Sequence, residues 1–465
     1  VKAIIMIREN ISAILTAVGV IALIVGFAVY FNSPELNTAS LASIKQQQQI
    51  EKLLSSESSS SSSSSKSTPS AAGSTEKVMV RDMVADRPSS TGKSSPIVIK
   101  LNRSEFEQID SSQFRKAPEF RDVTGYINTN TSKPLDLQDL RGKVVLVDFW
   151  TYSCINCIRT IPYLNDWNQK YSDQGLVIVG VHTPEFEFEK DFNNVKSAVD
   201  KFGIKYPVLQ DNNKGTWDAY ENRYWPRKYI IDTEGNIRYD HIGEGAYPET
   251  EKVIQYLLAE RAAKMGKTEI MFSNTSSPVV SPDNKNSQYI EIDFSKIKTP
   301  EIYLGHQLAR APLGNPQNFQ PDRTVSYSIP SGVDSTTTNF KPSIVYLEGQ
   351  WKNNPDNVEL QSDTGRIILN YSAKSVNIVA GGTLGTVGKV SIDNFKNLTG
   401  HKSSLPSSLN QQEKDFGTDI SKDTGEFSID GQRLYNLIND SDYGEHVITI
   451  DVGGKGFRLY TFTFG

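Results

Sequence analysis

Two apolar runs, KVVLVDFW at 143–150 and LVIVGVH at 176–182, do most to constrain this chain. Short, nearly uninterrupted apolar runs of this kind read as strands buried on both faces. Between them, IRTIPYLNDWNQKY places Ile158, Ile161, Leu164 and Trp167 at helical spacing. Strand, helix, strand with the strands parallel is a right-handed βαβ crossover. A helical segment around 187–202 follows. KYIID and GNIRYDHIG then form a hairpin around Thr233-Glu234-Gly235, and a closing helix covers about 248–264. Residues 115–266 are thus expected to form one compact α/β domain.

Beyond Met265 the helical signal ends. Segments such as YIEIDF, TVSYSI, SIVYLEG, RIILNYSA, SVNIVAG, HVITIDV and FRLYTFTF alternate with Gly, Asn, Asp and Ser clusters. Many short strands at this spacing predict an all-β sandwich, jelly-roll-like, over 291–465 after a linker at 267–290. DSDYGEH and DVGGKGF read as turns within it. Trp351, Tyr303 and Tyr435 are aromatic candidates for stacking on a surface glycan, or else members of the core.

At the other end, ISAILTAVGVIALIVGFAVYF (11–31) carries no charge and is long enough to cross a bilayer as a helix. Lys2 and Arg8 precede it and no basic residue follows until Lys45, which places the 1–10 stub in the cytoplasm and the rest outside. The run reads as an uncleaved single-pass anchor, a cleaved signal peptide being the alternative. The serine tract that follows has nothing to bury, so 32–114 reads as a flexible tether. A net charge of −5 offers no basic surface for nucleic acid.

The chain of 465 residues holds two cysteines, Cys154 and Cys157, in DFWTYSCINC. Outside the cytoplasm a disulfide persists. The pair supplies only two zinc ligands, and His182, His241, His306, His401 and His446 show no paired ligand spacing, so no metal is expected. A structural staple closing so short a loop adds little stability. Cys154 stands where a buried strand meets a helix start, and there the unpaired N–H groups and helix dipole favour a thiolate and lower its pKa. Cys157, one turn in, is more shielded. Cys154 is therefore expected to attack and Cys157 to resolve.

VVLVDFWTYSCINC, its strand–helix–strand setting and the later YWPRKYIID resemble the thioredoxin-like family of extracytoplasmic thiol–disulfide oxidoreductases, of TlpA and DipZ type. WTYSCINC and GVHTPEF are most similar to the DipZ-type domain. TPEIYLGH, DGQRLYNLI and the closing FTFG resemble its accessory module, which is carbohydrate-binding-module-like. The resemblance implies that Cys154 is the nucleophile and Cys157 the resolving cysteine, their redox-active disulfide standing in place of a cofactor. It further implies that Trp150 packs beside the disulfide, that Asp148 is the family's buried acid, and that Pro226 is the cis-proline that pairs with a bound client strand. Asp148 is then a proton acceptor for Cys157, or a core acid held by backbone donors. Thr160 stands where TlpA-like relatives commonly carry a glutamate, which leaves Asp148 the better relay. Trp225 is bulky beside the proline and narrows the substrate range. His182-Thr183-Pro184-Glu185 ends the second parallel strand on the edge that carries Cys154; His182 or Glu185 tunes the thiols or contacts substrate, or the segment is simply a loop with a helix start.

These expectations describe a membrane-anchored enzyme that exchanges disulfides with exported client proteins. The absence of the cysteine-flanked histidine that makes some relatives oxidising leans towards reductase or isomerase work. DipZ-type relatives carry a multi-spanning electron-delivery domain, so a separate membrane donor is expected here. Two rival readings remain: a thiol peroxidase, since Thr151-Tyr-Ser-Cys154 reproduces a T-x-x-C pattern although Val147 replaces the upstream proline, and a non-catalytic glycan- or protein-binding protein.

Overall fold

The computed structural model describes residues 97–101, 113–129, 134–272, 292–331, 340–392 and 416–465. The expected stub, anchor and most of the tether lie outside the described residues. Among the described residues no helix is long and apolar enough to cross a membrane.

By their contacts the described parts fall into two units. The smaller includes the strand β1 (Ile97–Lys100), residues 236–239, and 249–272. Within segments expected to be tether and linker, β1 pairs antiparallel with a strand at Glu269–Phe272, Ile99 opposite Ile270. IVIK and EIMF are rich in apolar, partly β-branched residues, and this local propensity sets them apart from the serine-rich chain around them. In the same unit Arg238 pairs with Glu260 at 3.1 Å, both closed to solvent.

The larger unit holds both the α/β layer and the β domain. In chain order the layer has β2 (Gly125–Ile127), β3 (Val144–Trp150), α1 (Ile155–Tyr171), β4 (Leu176–His182), α2 (Phe192–Lys201), β5 (Val208–Gln210), α3 (Gly215–Ala219), β6 (Arg227–Ile231), β7 (Ile237–Ile242) and α4 (Tyr247–Lys264). The last two run partly into the smaller unit, and the Glu269–Phe272 strand, β8, follows them. The sheet runs β2-β5-β4-β3-β6. β3 and β4 are parallel with Trp150 opposite His182, and β6 lies antiparallel to β3 with Phe149 opposite Arg227. Every residue of β3 is buried, as its composition demands. The segment around 187–202 splits into a 3-10 turn at Glu187–Lys190 and α2, because Asp191 caps the amides of Asn193 and Asn194.

The β domain runs from β9 (Ile302–Tyr303) and β10 (Thr324–Tyr327) through β11 (Val345–Asn353), β12 (Val358–Leu360), β13 (Thr364–Gly381), β14 (Val387–Ile392) and β15 (Glu426–Ser428) to β16 (Arg433–Gly453) and β17 (Arg458–Phe464). Where two stacked sheets were expected, the strands form one hydrogen-bonded network that folds back on itself. The first half of β13 pairs with β11 and its second half with β17, which reaches β12 and so returns to β11. RIILNYSA and SVNIVAG, read as two strands, are one strand of 18 residues. DSDYGEH, read as a turn, lies inside the 21-residue β16. Ala373 pairs with Gly444 and Ser375 with Asn439, so residues 440–443 bulge from a ladder that resumes beyond them. Hydrophobic residues of both long strands enter one core, including Ile367, Leu369, Ile378, Tyr435 and Ile450.

That core also claims two of the three aromatic glycan candidates, Trp351 and Tyr435. Trp351 and Tyr435 are fully buried and Tyr303 nearly so. Trp351 donates its indole N–H to the Glu348 carbonyl at 2.9 Å, and the Tyr435 hydroxyl donates to Asp430 at 2.9 Å. Their polar tips are satisfied inside the protein, so these rings offer no face to a sugar.

Candidate redox site

β3 ends at Trp150, and Thr151-Tyr152-Ser153 turns the chain into α1 with Cys154 as its N-cap. Both cysteines are free thiols. Cys154 is partly exposed and Cys157 is buried behind it. The Cys157 backbone N–H donates to Cys154 Sγ at 3.2 Å, one of the orphan donors of a helix start aimed at the sulfur. This is the cap geometry the sequence predicts. The net direction of the Cys154 titration is nonetheless opposite to expectation. Burial pushes the thiol up, outweighing the hydrogen bonds from Cys157, and the carboxyls of Glu301 and Glu185 push the same way. Cys157 is raised further, chiefly by burial.

Asp148 is buried beneath the motif, with Oδ1 lacking a hydrogen-bond partner. Burial raises its pKa to about 7, against the pull of Lys228. Lys228, which sequence reasoning missed, is directly opposite Asp148 in the β3–β6 register and wholly buried. Its ammonium donates to the Gly243 carbonyl at 3.0 Å, and burial lowers its pKa. A lysine two residues after Pro226 on a short apolar strand was the available signal.

The Trp225–Pro226 bond is cis, as the resemblance implies. One step beyond the Phe149–Arg227 pair, Pro226 is level with Trp150 at the sheet edge that leads to Cys154. Trp225 is partly exposed; it packs on Trp217 with ring centroids 4.2 Å apart and donates its indole N–H to the Thr183 carbonyl at 3.0 Å.

Trp150 and His182 do not face a client. Both are closed to solvent, and their rings meet edge-on at 5.2 Å. The expected substrate contact is replaced by support of the motif from behind, because the apolar strands that carry them bury both faces. Burial holds His182 neutral, its pKa lowered to about 3, and Thr151 Oγ1 is 3.3 Å from its Nε2. Thr160, at the position of the relatives' glutamate, donates to the Asn156 carbonyl at 2.9 Å within α1.

Glu185 is at the edge of the site and Glu189, a second residue missed in the sequence, is fully buried beside it. Glu189 accepts from Ser153 Oγ at 2.5 Å and from the backbone N–H groups of Glu185 and Phe186 at 2.6 and 3.0 Å. The β domain reaches the same loop. Phe186 and Phe188 pack on Tyr460 with centroids 5.2 and 4.8 Å apart, and Tyr152 donates to the Gln432 carbonyl at 3.4 Å.

A partly exposed thiol over a buried one at a strand–helix junction, with a cis-proline level with the end of that strand, defines the thioredoxin-like class of dithiol sites. Residues 115–240 match the model of the AhpC/TSA family, and 299–465 that of the thioredoxin like C-terminal domain. Thiol-disulfide oxidoreductase YkuV of Bacillus subtilis is 31% identical over 143 residues, 31% of this chain and 94% of that protein. Protein DipZ of Mycobacterium tuberculosis is 40% identical over 267 residues, 57% of this chain and 35% of its own length. A thioredoxin-like protein solved in its oxidized form is 30% identical, with a TM-score of 0.29 over 32% of this chain and 97% of that one. The chain belongs to the thioredoxin-like thiol–disulfide oxidoreductases. It spans about a third of the DipZ proteins it matches.

Proposed function

We propose that the protein is a membrane-anchored, extracytoplasmic reductase of disulfides in exported client proteins. The carrying observation is the asymmetry of the pair: Cys154 is accessible and receives the Cys157 N–H, whereas Cys157 is shielded. Cys154 as thiolate attacks one sulfur of a client disulfide and the other client sulfur leaves as a thiolate, which takes up a proton. The client strand lies against the backbone before Pro226, with Trp225 and Glu185 at its border. Cys157 then loses its proton to Asp148 and attacks Cys154 Sγ. The second client sulfur departs, the client gains two electrons, and Cys154 and Cys157 form a disulfide. A separate membrane donor restores the dithiol.

Variant trapping tests this reading. Cys157→Ser is expected to accumulate mixed disulfides with client proteins and Cys154→Ser to accumulate none; equal trapping by both overturns the assignment. Protease added to intact cells is expected to digest the domains without lysis, and full protection sinks the external placement. A peroxidase reading draws on the AhpC/TSA match and on Thr151 three residues before Cys154. It requires catalytic consumption of peroxide by the purified dithiol protein, and none is expected.

A further inference from the structure

The β domain does more than lie beside the redox site. Glu185 is fixed from below, since Glu189 ties its backbone N–H to the Ser153 hydroxyl, next to Cys154. From the other side Tyr303 of β9 reaches over it. The Tyr303 hydroxyl is 2.6 Å from Glu185 Oε1 and 3.3 Å from Glu301 Oε2. One hydroxyl carries one hydrogen and donates to one carboxyl at a time. Both contacts are hydrogen bonds only when the other carboxyl holds a proton and donates back. The geometry therefore describes two carboxyls that share a proton through a tyrosine, with Glu185 partly exposed and Glu301 exposed.

We propose that the C-terminal β domain is a working part of the redox site: Glu301 and Tyr303 close on Glu185 to form a carboxyl pair, drawn from both domains, that restrains thiolate formation at Cys154. The inference rests on the reading of Cys154 as the attacking thiol. Negative charge beside a thiol disfavours its thiolate. Glu185 is faced by Glu189 from its own loop, and by Tyr303, Glu301 and Arg310 from the β domain. The Arg310 guanidinium lies 5.0 Å over the Tyr303 ring. Cys154 is faced by Cys157, Glu301 and Glu185. Burial and Glu189 raise Glu185 to about 8. As pH rises the pair loses its shared proton and gains negative charge, which opposes ionisation of Cys154. Glu185, Glu301 and Tyr303 are positioning residues in this scheme, acting through charge and not by touching the client sulfur.

The test is the pH profile of iodoacetamide alkylation at Cys154 in the reduced full chain, resolved by peptide mass spectrometry. This reads the thiol itself, whether or not a client is ever trapped, so failure of the trapping experiment and failure here are separate results. Glu301→Gln and Glu185→Gln are each expected to move the midpoint to lower pH. A midpoint lower by about one in pH brings about tenfold more thiolate, offset by about threefold lower nucleophilicity, so alkylation at pH 7 rises about threefold. Glu301→Asp, which keeps the charge, is expected to hold close to the unsubstituted profile, and so is the remote Glu348→Gln. A Cys154 profile unmoved in folded Glu301→Gln overturns the role of the β domain. If Glu301→Gln fails to fold, Tyr303→Phe, which removes the β-domain hydroxyl between the two carboxyls, takes its place, and an unmoved Cys154 profile overturns the role of the β domain.

Discussion

Ser153 donates its hydroxyl hydrogen to Glu189 at 2.5 Å, joining the residue before Cys154 to a loop 36 positions further along the chain. The same carboxyl group holds the amides of Glu185 and Phe186, so one buried side chain fixes the height of the loop against the motif. Glu189→Ala leaves three donors without their acceptor, at a cost of about 1–3 kcal/mol. Urea denaturation is expected to show that loss, and an unchanged midpoint removes Glu189 from the supports of the site.

Asp148 imposes a pH dependence of known sign. Its carboxyl titrates from an ordinary 3.8 to about 7 in the folded chain. An acid whose folded pKa is raised costs nothing below the unfolded value; the cost grows as pH climbs and stops growing above the folded value. At about 1.4 kcal/mol per pH unit the full cost is on the order of 4 kcal/mol. Asp148→Asn also strips Lys228 of its counter-charge, so its gain is smaller than that. The stability advantage of Asp148→Asn is expected to widen from pH 4 to pH 7 and then level off, while release of a trapped client slows. A pH-independent difference contradicts the burial argument, and unchanged turnover from pH 6 to 8 removes the proton relay.

Lys228 holds the Asp148 titration down, because an opposite charge in a buried site favours the ionised acid. Lys228→Met is expected to push Asp148 above about 7 and to carry the pH midpoint of mixed-disulfide resolution in the alkaline direction. A stopped-flow profile of resolution against pH, compared with that of Asp148→Asn, checks this. An unmoved midpoint separates the two residues.

Trp351 belongs to packing. It is fully enclosed in the β-domain core, 6.4 Å from the ring of Phe457. Trp351→Ala is expected to cost about 3–5 kcal/mol in denaturation. Loss of sugar binding by a folded Trp351→Ala variant is not expected, and observing it would return the ring to a glycan site.

Much of the α/β layer was legible because its signals are local. A doubly buried strand, a helix cap and a proline after an aromatic residue each announce themselves within a few positions, and β3, α1, β4 and β6 stand where the sequence predicts them. Helix α3 and the short β2 and β5 left no periodicity to read. In the β domain alternation told strand from loop but not where a strand stops. Asp440 and Ser441 look like a turn, yet the ladder bridges them, because pairing with β13 outweighs local preference. The missed site residues share one property. Lys228, Glu189 and Tyr303 gain their roles from partners 36 to 118 positions away, across strands or domains. No window along the chain holds both members of such a pair.

The rings of Phe186 and Phe188 against Tyr460 bear on how this protein can be taken apart. An α/β layer expressed alone would present both rings to water on the loop that Glu189 ties to Ser153. Excising the β domain thus changes the surface next to Cys154, and rates gathered on the severed half would belong to a stickier reagent than the one the full chain folds into.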